Sequence, residues 1–149
     1  MSKIRLTKEF HFEMAHLLWN YDGPCKNIHG HSYKLFVTVI GKPIDDISNP
    51  KYGMLIDFTD LKNIVNSKIT YLFDHAFVLM KNKEFESVIE NNKIFGKKIL
   101  LDYQPTSENL VIDFANRLKP YLPKNVKLHS LKLYETATSF AEWYAEDNK

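Results

Sequence analysis

The chain has a single cysteine among its 149 residues, which excludes an intrachain disulfide framework. No apolar run approaches the roughly 20 residues that a membrane-spanning helix needs. The first segment, MSKIRLTKEFHFEMAH, scatters charges among its apolar residues and lacks the continuous apolar core of a signal peptide. There is no basic stripe either. The formal net charge is +2, with Lys, Asp and Glu mixed along the chain, so nothing argues for a nucleic-acid or membrane partner. Glycine and proline are few, and no repeat or low-complexity linker is visible. These absences lead to the expectation of a cytoplasmic protein whose one free thiol stays reduced. What is present is an ordinary globular balance, 44% hydrophobic and 26% charged. The length predicts one domain, residues 1–149, able to bury its own core.

Hydrophobic periodicity supplies the elements. From Ile4 to about His16 the pattern alternates, with Phe10, Phe12, Met14 and His16 on one parity and His11, Glu13 and Ala15 on the other, which predicts a strand. Asp22-Gly23-Pro24 is turn chemistry, and the β-branched and aromatic run from His31 to Ile40 predicts a second long strand. The period then changes. Phe58, Leu61, Val65, Ile69 and Leu72 predict one helical face, with Asp57 as its N-cap and an end near Asp74-His75. The region from Ala76 to Tyr103 is mixed, with a short strand, a short helix and a further extended piece. Pro105-Thr106-Ser107-Glu108 opens another helix that buries Leu110, Phe114 and Leu118 and is closed by Pro120 and Pro123. Leu128 to Glu135 and Phe140 to Tyr144 alternate as a closing hairpin. The expected order is ββααββ, an α+β layer with a four-stranded antiparallel sheet and two helices on one face. An open sheet of that size has two edges to cover, which points to a homo-oligomer.

The stretch CKNIHGH, Cys25 to His31, concentrates the metal-ligating chemistry. On a strand, His29 and His31 point to the same side, and Gly30 between them permits a close approach. His16 ends the preceding strand on its apolar face and meets the pair if the two strands form a hairpin. Three neutral imidazoles with an open position describe a catalytic zinc site. Cys25 stays open at this point. It fits a fourth ligand that closes the site, a base or nucleophile whose thiol titrates below its usual ~8.5 beside a cation, or a small buried hydrophobe. His11 and His129 have no such partners nearby in sequence and read as ordinary histidines.

Six motifs then occur in order: FHFEMAH, CKNIHGHSY, GMLIDFTDLK, FDHAF, PTSENL and LYETATS. Together they resemble the 6-pyruvoyl-tetrahydropterin synthase family and its bacterial 6-carboxy-tetrahydropterin synthase branch, over roughly Phe10 to Trp143. The resemblance implies the T-fold (tunnelling fold), in which three chains form a continuous barrel and two trimers stack into a hexamer. It implies that His16, His29 and His31 bind Zn2+, and that Cys25 is the catalytic base rather than a fourth ligand. Asp74 and His75 match the family's relay pair. Glu135 matches the acid that anchors the pterin ring, and Thr106 and Ser107 match residues lining the pterin pocket. Read on their own, Asp74-His75 also fit a helix C-terminus, and Thr106 or Ser107 a helix N-cap.

The implied substrate is 7,8-dihydroneopterin triphosphate. A zinc Lewis acid, a thiolate, an imidazole and a carboxylate able to accept two parallel hydrogen bonds suit that chemistry. Three residues separate Cys25 from His29, and this short spacing resembles the 6-carboxy branch, which releases triphosphate and acetaldehyde in the pathway to queuosine and related deazapurines. The alternatives are the 6-pyruvoyl reaction and a non-catalytic zinc- or pterin-binding T-fold protein. The segment from Ala76 to Tyr103 is longer than in compact bacterial members. No glycine-rich phosphate loop is present, which leaves Lys26 and Lys34 as candidates for the triphosphate.

Overall fold

The computed structural model describes residues 2–23 and 26–149. Strand β1, Ile4–Leu17, follows the predicted alternation: Phe10, Phe12, Met14 and His16 are buried, while His11 and Glu13 are exposed. Strand β2, His29–Gly41, buries Tyr33, Leu35, Val37 and Val39 on the same face. The two run antiparallel, with Phe12 opposite Tyr33, Met14 opposite His31 and His16 opposite His29. Gly30 faces Ala15, and a Cβ there would stand 3.3 Å from the Met14 carbonyl oxygen, so the strands close tightly at this point.

After β2 the chain enters α1, Phe58–Val65, whose N-cap Asp57 accepts the Thr59 N–H at 2.7 Å. A π turn, Asn66–Thr70, and α2, Tyr71–Phe73, continue the same helical run. The π turn has a sequence cause. The buried residues are Leu61, Val65, Ile69 and Phe73, spaced by four. In a 3.6-residue helix each such step drifts about 40° around the axis. One wider turn takes up the drift and keeps all four on the core. It also replaces Leu72, the expected face residue, by Phe73 and leaves Leu72 exposed; Phe58, also expected on that face, is exposed at the first position of α1.

Strand β3, Ala76–Met80, lies parallel to β1. Helix α3, Lys83–Glu90, then crosses over to β4, Lys98–Leu101, which lies parallel to β3. Helix α4, Ser107–Leu118, starts from Thr106, whose hydroxyl accepts the Asn109 N–H at 3.2 Å, and ends in a 3-10 turn at Lys119–Tyr121. Strands β5, Val126–Tyr134, and β6, Phe140–Tyr144, complete the sheet as an antiparallel pair beside β2.

Among the described residues the sheet therefore has six strands in the order β4-β3-β1-β2-β5-β6, and it is mixed. This corrects the expected four antiparallel strands and two helices. The added unit is β3-α3-β4, because parallel neighbours need a crossover, and here a helix supplies it. The main core joins one sheet face to α1 and α4 through residues such as Phe12, Leu35, Leu61 and Phe114. A smaller core of Leu17, Phe77, Leu79 and Ile89 lies under α3 on the other face.

Phe114 is fully buried, with edge contacts to Phe73 at 5.0 Å and Phe12 at 6.1 Å between ring centroids. Phe114→Ala should cost about 3–5 kcal/mol in unfolding free energy, read by urea denaturation. A loss below about 1 kcal/mol would show that helix α4 does not hold this core as described.

Candidate metal centre

The β1–β2 register sets His16 directly across from His29 and two residues from the level of His31. Because i and i+2 share a face, all three imidazoles converge at the end of the sheet. Their ring centroids lie 4.5, 5.2 and 4.8 Å apart, and one ligand atom from each lies within 4.8 Å of the others.

Two backbone carbonyls decide what those rings can do. The Nδ1–H of His16 donates to the Pro105 carbonyl oxygen at 2.8 Å, and the Nδ1–H of His29 donates to that of Asn27 at 2.7 Å. A carbonyl can only accept, so each neutral ring carries its proton on Nδ1 and a bare lone pair on Nε2. The two Nε2 atoms face each other at 2.9 Å. Among the described residues, the Nε2 of His31 is buried without a hydrogen-bond partner. Lone pairs aimed at one another repel unless a cation or a proton lies between them. A tetrahedral metal with bonds of 2.0–2.1 Å holds its ligand nitrogens about 3.3 Å apart, which is the scale of this cluster. The donor set thus fits a metal ion.

The electrostatics agree. Burial, aided by repulsion from His29 and His31, pushes the pKa of His16 down to about 4, against the opposing hydrogen bond to Pro105. Burial also lowers that of His31, with Glu135 opposing and His29 reinforcing. Both rings are therefore neutral near pH 7, as metal ligation requires.

Glu135 follows β5 and brings its Oε1 to 3.6 Å from the His31 Nε2 of its own chain. It lines a cavity of about 440 Å³ with Thr106, Ser107, Glu108, Gln104 and Trp19. The three residues expected around a pterin ring thus share one cavity beside the histidines. Neither Asp74 nor His75 lines that cavity. Their side chains pair at 3.0 Å between Oδ2 and Nδ1, and the Glu13 N–H donates to Asp74 Oδ1 at 2.9 Å. That N–H, then His75 and Lys97, hold the Asp74 carboxyl below the usual carboxylate range. The His75 side chain is 76% exposed and lines a second cavity of about 420 Å³, with Glu13, His31, Ser32, Phe95 and Lys97. Cys25 lies outside the described residues. Lys26 and Lys34 line neither cavity, and Lys34 pairs with Glu9 at 3.6 Å.

Sequence patterns gave no sign of the two supporting carbonyls, because backbone groups carry no residue signature. They also missed Gln104. Its side-chain amide accepts the Trp19 N–H at 3.1 Å and donates to the Trp19 carbonyl at 2.7 Å, tying the loop after β1 to the segment that orients His16.

Fold and cluster together define an α+β protein with a candidate three-histidine metal centre. The model of the 6-pyruvoyl tetrahydropterin synthase family matches residues 5–146, and the chain belongs to that family of lyases. A Haemophilus influenzae relative named 6-carboxy-5,6,7,8-tetrahydropterin synthase is 41% identical over 145 residues, covering 93% of this chain and 97% of its own. A Rickettsia typhi relative of the same name is 35% identical over 143 residues, with 93% and 99% covered. Among solved structures, an uncharacterized protein from Wolinella succinogenes superposes with a TM-score of 0.77 at 20% identity, covering 97% of this chain and 99% of its own. The Caenorhabditis elegans 6-pyruvoyl tetrahydropterin synthase gives 0.68 at 23% identity, with 97% of each chain covered. These two share the T-fold with this chain. No helix among the described residues is long and apolar enough to cross a membrane.

His16→Ala or His31→Ala should reduce bound metal from about one ion per chain to under about a tenth, read by elemental analysis after dialysis. The metal-free protein should also show a pH signature. A folded-state pKa of about 4 for His16, below the free value of 6.5, gives stability that is complete above pH 6.5 and is lost as pH falls towards 4. Chemical denaturation across that window should show the decline, and a flat profile would contradict a buried neutral His16.

Proposed function

We propose that this chain is a zinc-dependent 6-carboxy-5,6,7,8-tetrahydropterin synthase acting on 7,8-dihydroneopterin triphosphate. It releases triphosphate and acetaldehyde and serves the pathway to queuosine and related deazapurines. The observation that carries this reading is the three-histidine cluster, in a chain 41% identical to a relative of that name. The 6-pyruvoyl reaction, which eliminates triphosphate and rearranges the side chain, is the competing chemistry.

His16, His29 and His31 would hold the zinc, which would supply Lewis acidity that makes protons beside the substrate's side-chain hydroxyls easier to remove. The residues of the chain do the rest. Glu135 accepts two parallel hydrogen bonds from the amino-pyrimidine edge. Thr106 spends one lone pair on the Asn109 N–H and keeps its own O–H to donate to the ring. Ser107 lines the same cavity. Cys25 takes a proton from the side chain as thiolate. His75, its Nδ1 turned to Asp74, leaves Nε2 free to pass a proton.

Within one chain, the His75 side chain is largely exposed and lies outside the cavity that holds Glu135, Thr106 and Ser107. A homo-oligomer, two stacked trimers, brings the Asp74–His75 pair of one subunit to the metal of another and covers the sheet edges at β4 and β6. The whole chain acts as one T-fold domain in the cytoplasm, where Cys25 stays reduced.

Incubation with dihydroneopterin triphosphate, followed by product identification, tests the reading. Acetaldehyde equal in amount to the pterin product is expected, and a pyruvoyl product would overturn the assignment. Cys25→Ala should retain zinc and lose turnover by about 100-fold or more. Loss of zinc in that variant would make Cys25 a ligand instead.

A further inference from the structure

His75 holds a left-handed backbone conformation, φ 59°, which a non-glycine residue keeps only when its surroundings impose it. Two restraints come from Glu13 on β1. Its carbonyl accepts the His75 N–H at 2.6 Å, and its N–H donates to Asp74 Oδ1 at 2.9 Å. The third comes from the segment whose role the sequence leaves open. The Lys97 ammonium donates to the Tyr71 carbonyl at 2.8 Å and to the Asp74 carbonyl at 2.5 Å. Both carbonyls lie where the helical run ends, where unpaired C=O groups collect partial negative charge and a cation is favoured.

Lys97 is itself held in place. Its carbonyl accepts the Phe77 N–H at 2.9 Å. Two residues earlier, Phe95 stacks on Phe77, with centroids 5.3 Å apart and planes 28° from parallel. Phe77 belongs to the smaller core that α3 seals with Ile89. The loop between α3 and β4 therefore carries a cation that grips the turn of Asp74 and His75, in addition to the two Glu13 contacts.

We propose that Lys97 is a positioning residue for the Asp74–His75 pair, and that the insertion is the brace that delivers it. This rests on the reading of that pair as proton-handling groups. Lys97 also lines the cavity beside His75, where an ammonium could instead hold a substrate anion. Two of its three N–H groups are already given to carbonyls, which favours the positioning role.

The test compares full-length Asp74→Asn, His75→Asn, Lys97→Met and Lys97→Arg variants by steady-state kinetics, metal content and ¹⁵N-histidine NMR. Asp74→Asn and His75→Asn should lower kcat by about 100-fold or more. Lys97→Met should lower kcat by about tenfold, with KM within about threefold and metal content unchanged. Lys97→Arg should restore most of the loss. In the spectra, His75 should show one Nδ1–H tautomer in the wild type and an exchange-averaged signal in Lys97→Met. Should Lys97→Met fail to fold, Lys97→Gln, which removes the charge and shortens the reach while keeping an NH2 group, carries the same comparison.

The proposal is overturned if Lys97→Met keeps kcat within about twofold while the Asp74 and His75 variants lose theirs. A rise of about tenfold in KM at unchanged kcat also overturns it, since that marks a substrate contact. If Asp74→Asn and His75→Asn retain full activity, the underlying reading of the pair has failed. The histidine spectra then decide for or against Lys97 on their own.

Discussion

The antiparallel pairing of β1 with β2 is the constraint on which the rest depends. It opposes Phe12 to Tyr33 in the core and, further along the same face, His16 to His29. A slip of one residue would turn every β2 side chain to the other face of the sheet. The apolar pattern of Phe10, Phe12, Met14, Tyr33, Leu35 and Val37 forbids that slip, because it would expose a row of buried groups. The hydrophobic core thus fixes the histidine geometry from a distance, with no interaction between the rings needed to define it.

At the end of that pairing the protein accepts a local conflict. Carbonyls of Pro105 and Asn27 turn two imidazole lone pairs towards each other, and the His31 Nε2 lies buried without a hydrogen-bond partner among the described residues. Groups arranged this way cost stability in the free chain and recover it when a cation is held between them. The orientation comes from groups outside the cluster, so the rings are set before any ion arrives. Gln104 extends this support outward by fastening the Trp19 loop to the Pro105 segment.

Much of this was legible in the sequence. The alternation of β1, the caps at Asp57 and Thr106, and the pairing of His16 with a His-x-His step all follow from short-range patterns. What escaped has physical causes. Strand β3 buries Ala76, Phe77, Val78 and Leu79 alike, because α3 covers the face that would otherwise be wet. A strand buried on both sides shows no period of two, so its sheet role was hidden and the strand count came out too low. The exchange of Leu72 for Phe73 was hidden for another reason, since an ideal helix period assumes that no turn is widened. Asp74 and His75 were found as a pair, yet their place outside the cavity of Glu135 and Thr106 depends on tertiary structure that no local motif records.

The π turn at Asn66–Thr70 has a consequence for how this chain can change over time. It is one surplus residue, held by the Thr70 hydroxyl donating to the Asn66 side chain at 2.6 Å. Deleting a residue there would let the turn tighten to ordinary helical pitch, and Phe73, one step nearer to Leu61, would still fall on the core face. Asp74 would keep its place at the Glu13 amide. A further inserted residue has no such slack to enter and would swing everything beyond it by about 100° around the axis. A stretch remote from the metal therefore tolerates a change of length in one direction only: it can give up its surplus residue, but cannot take another.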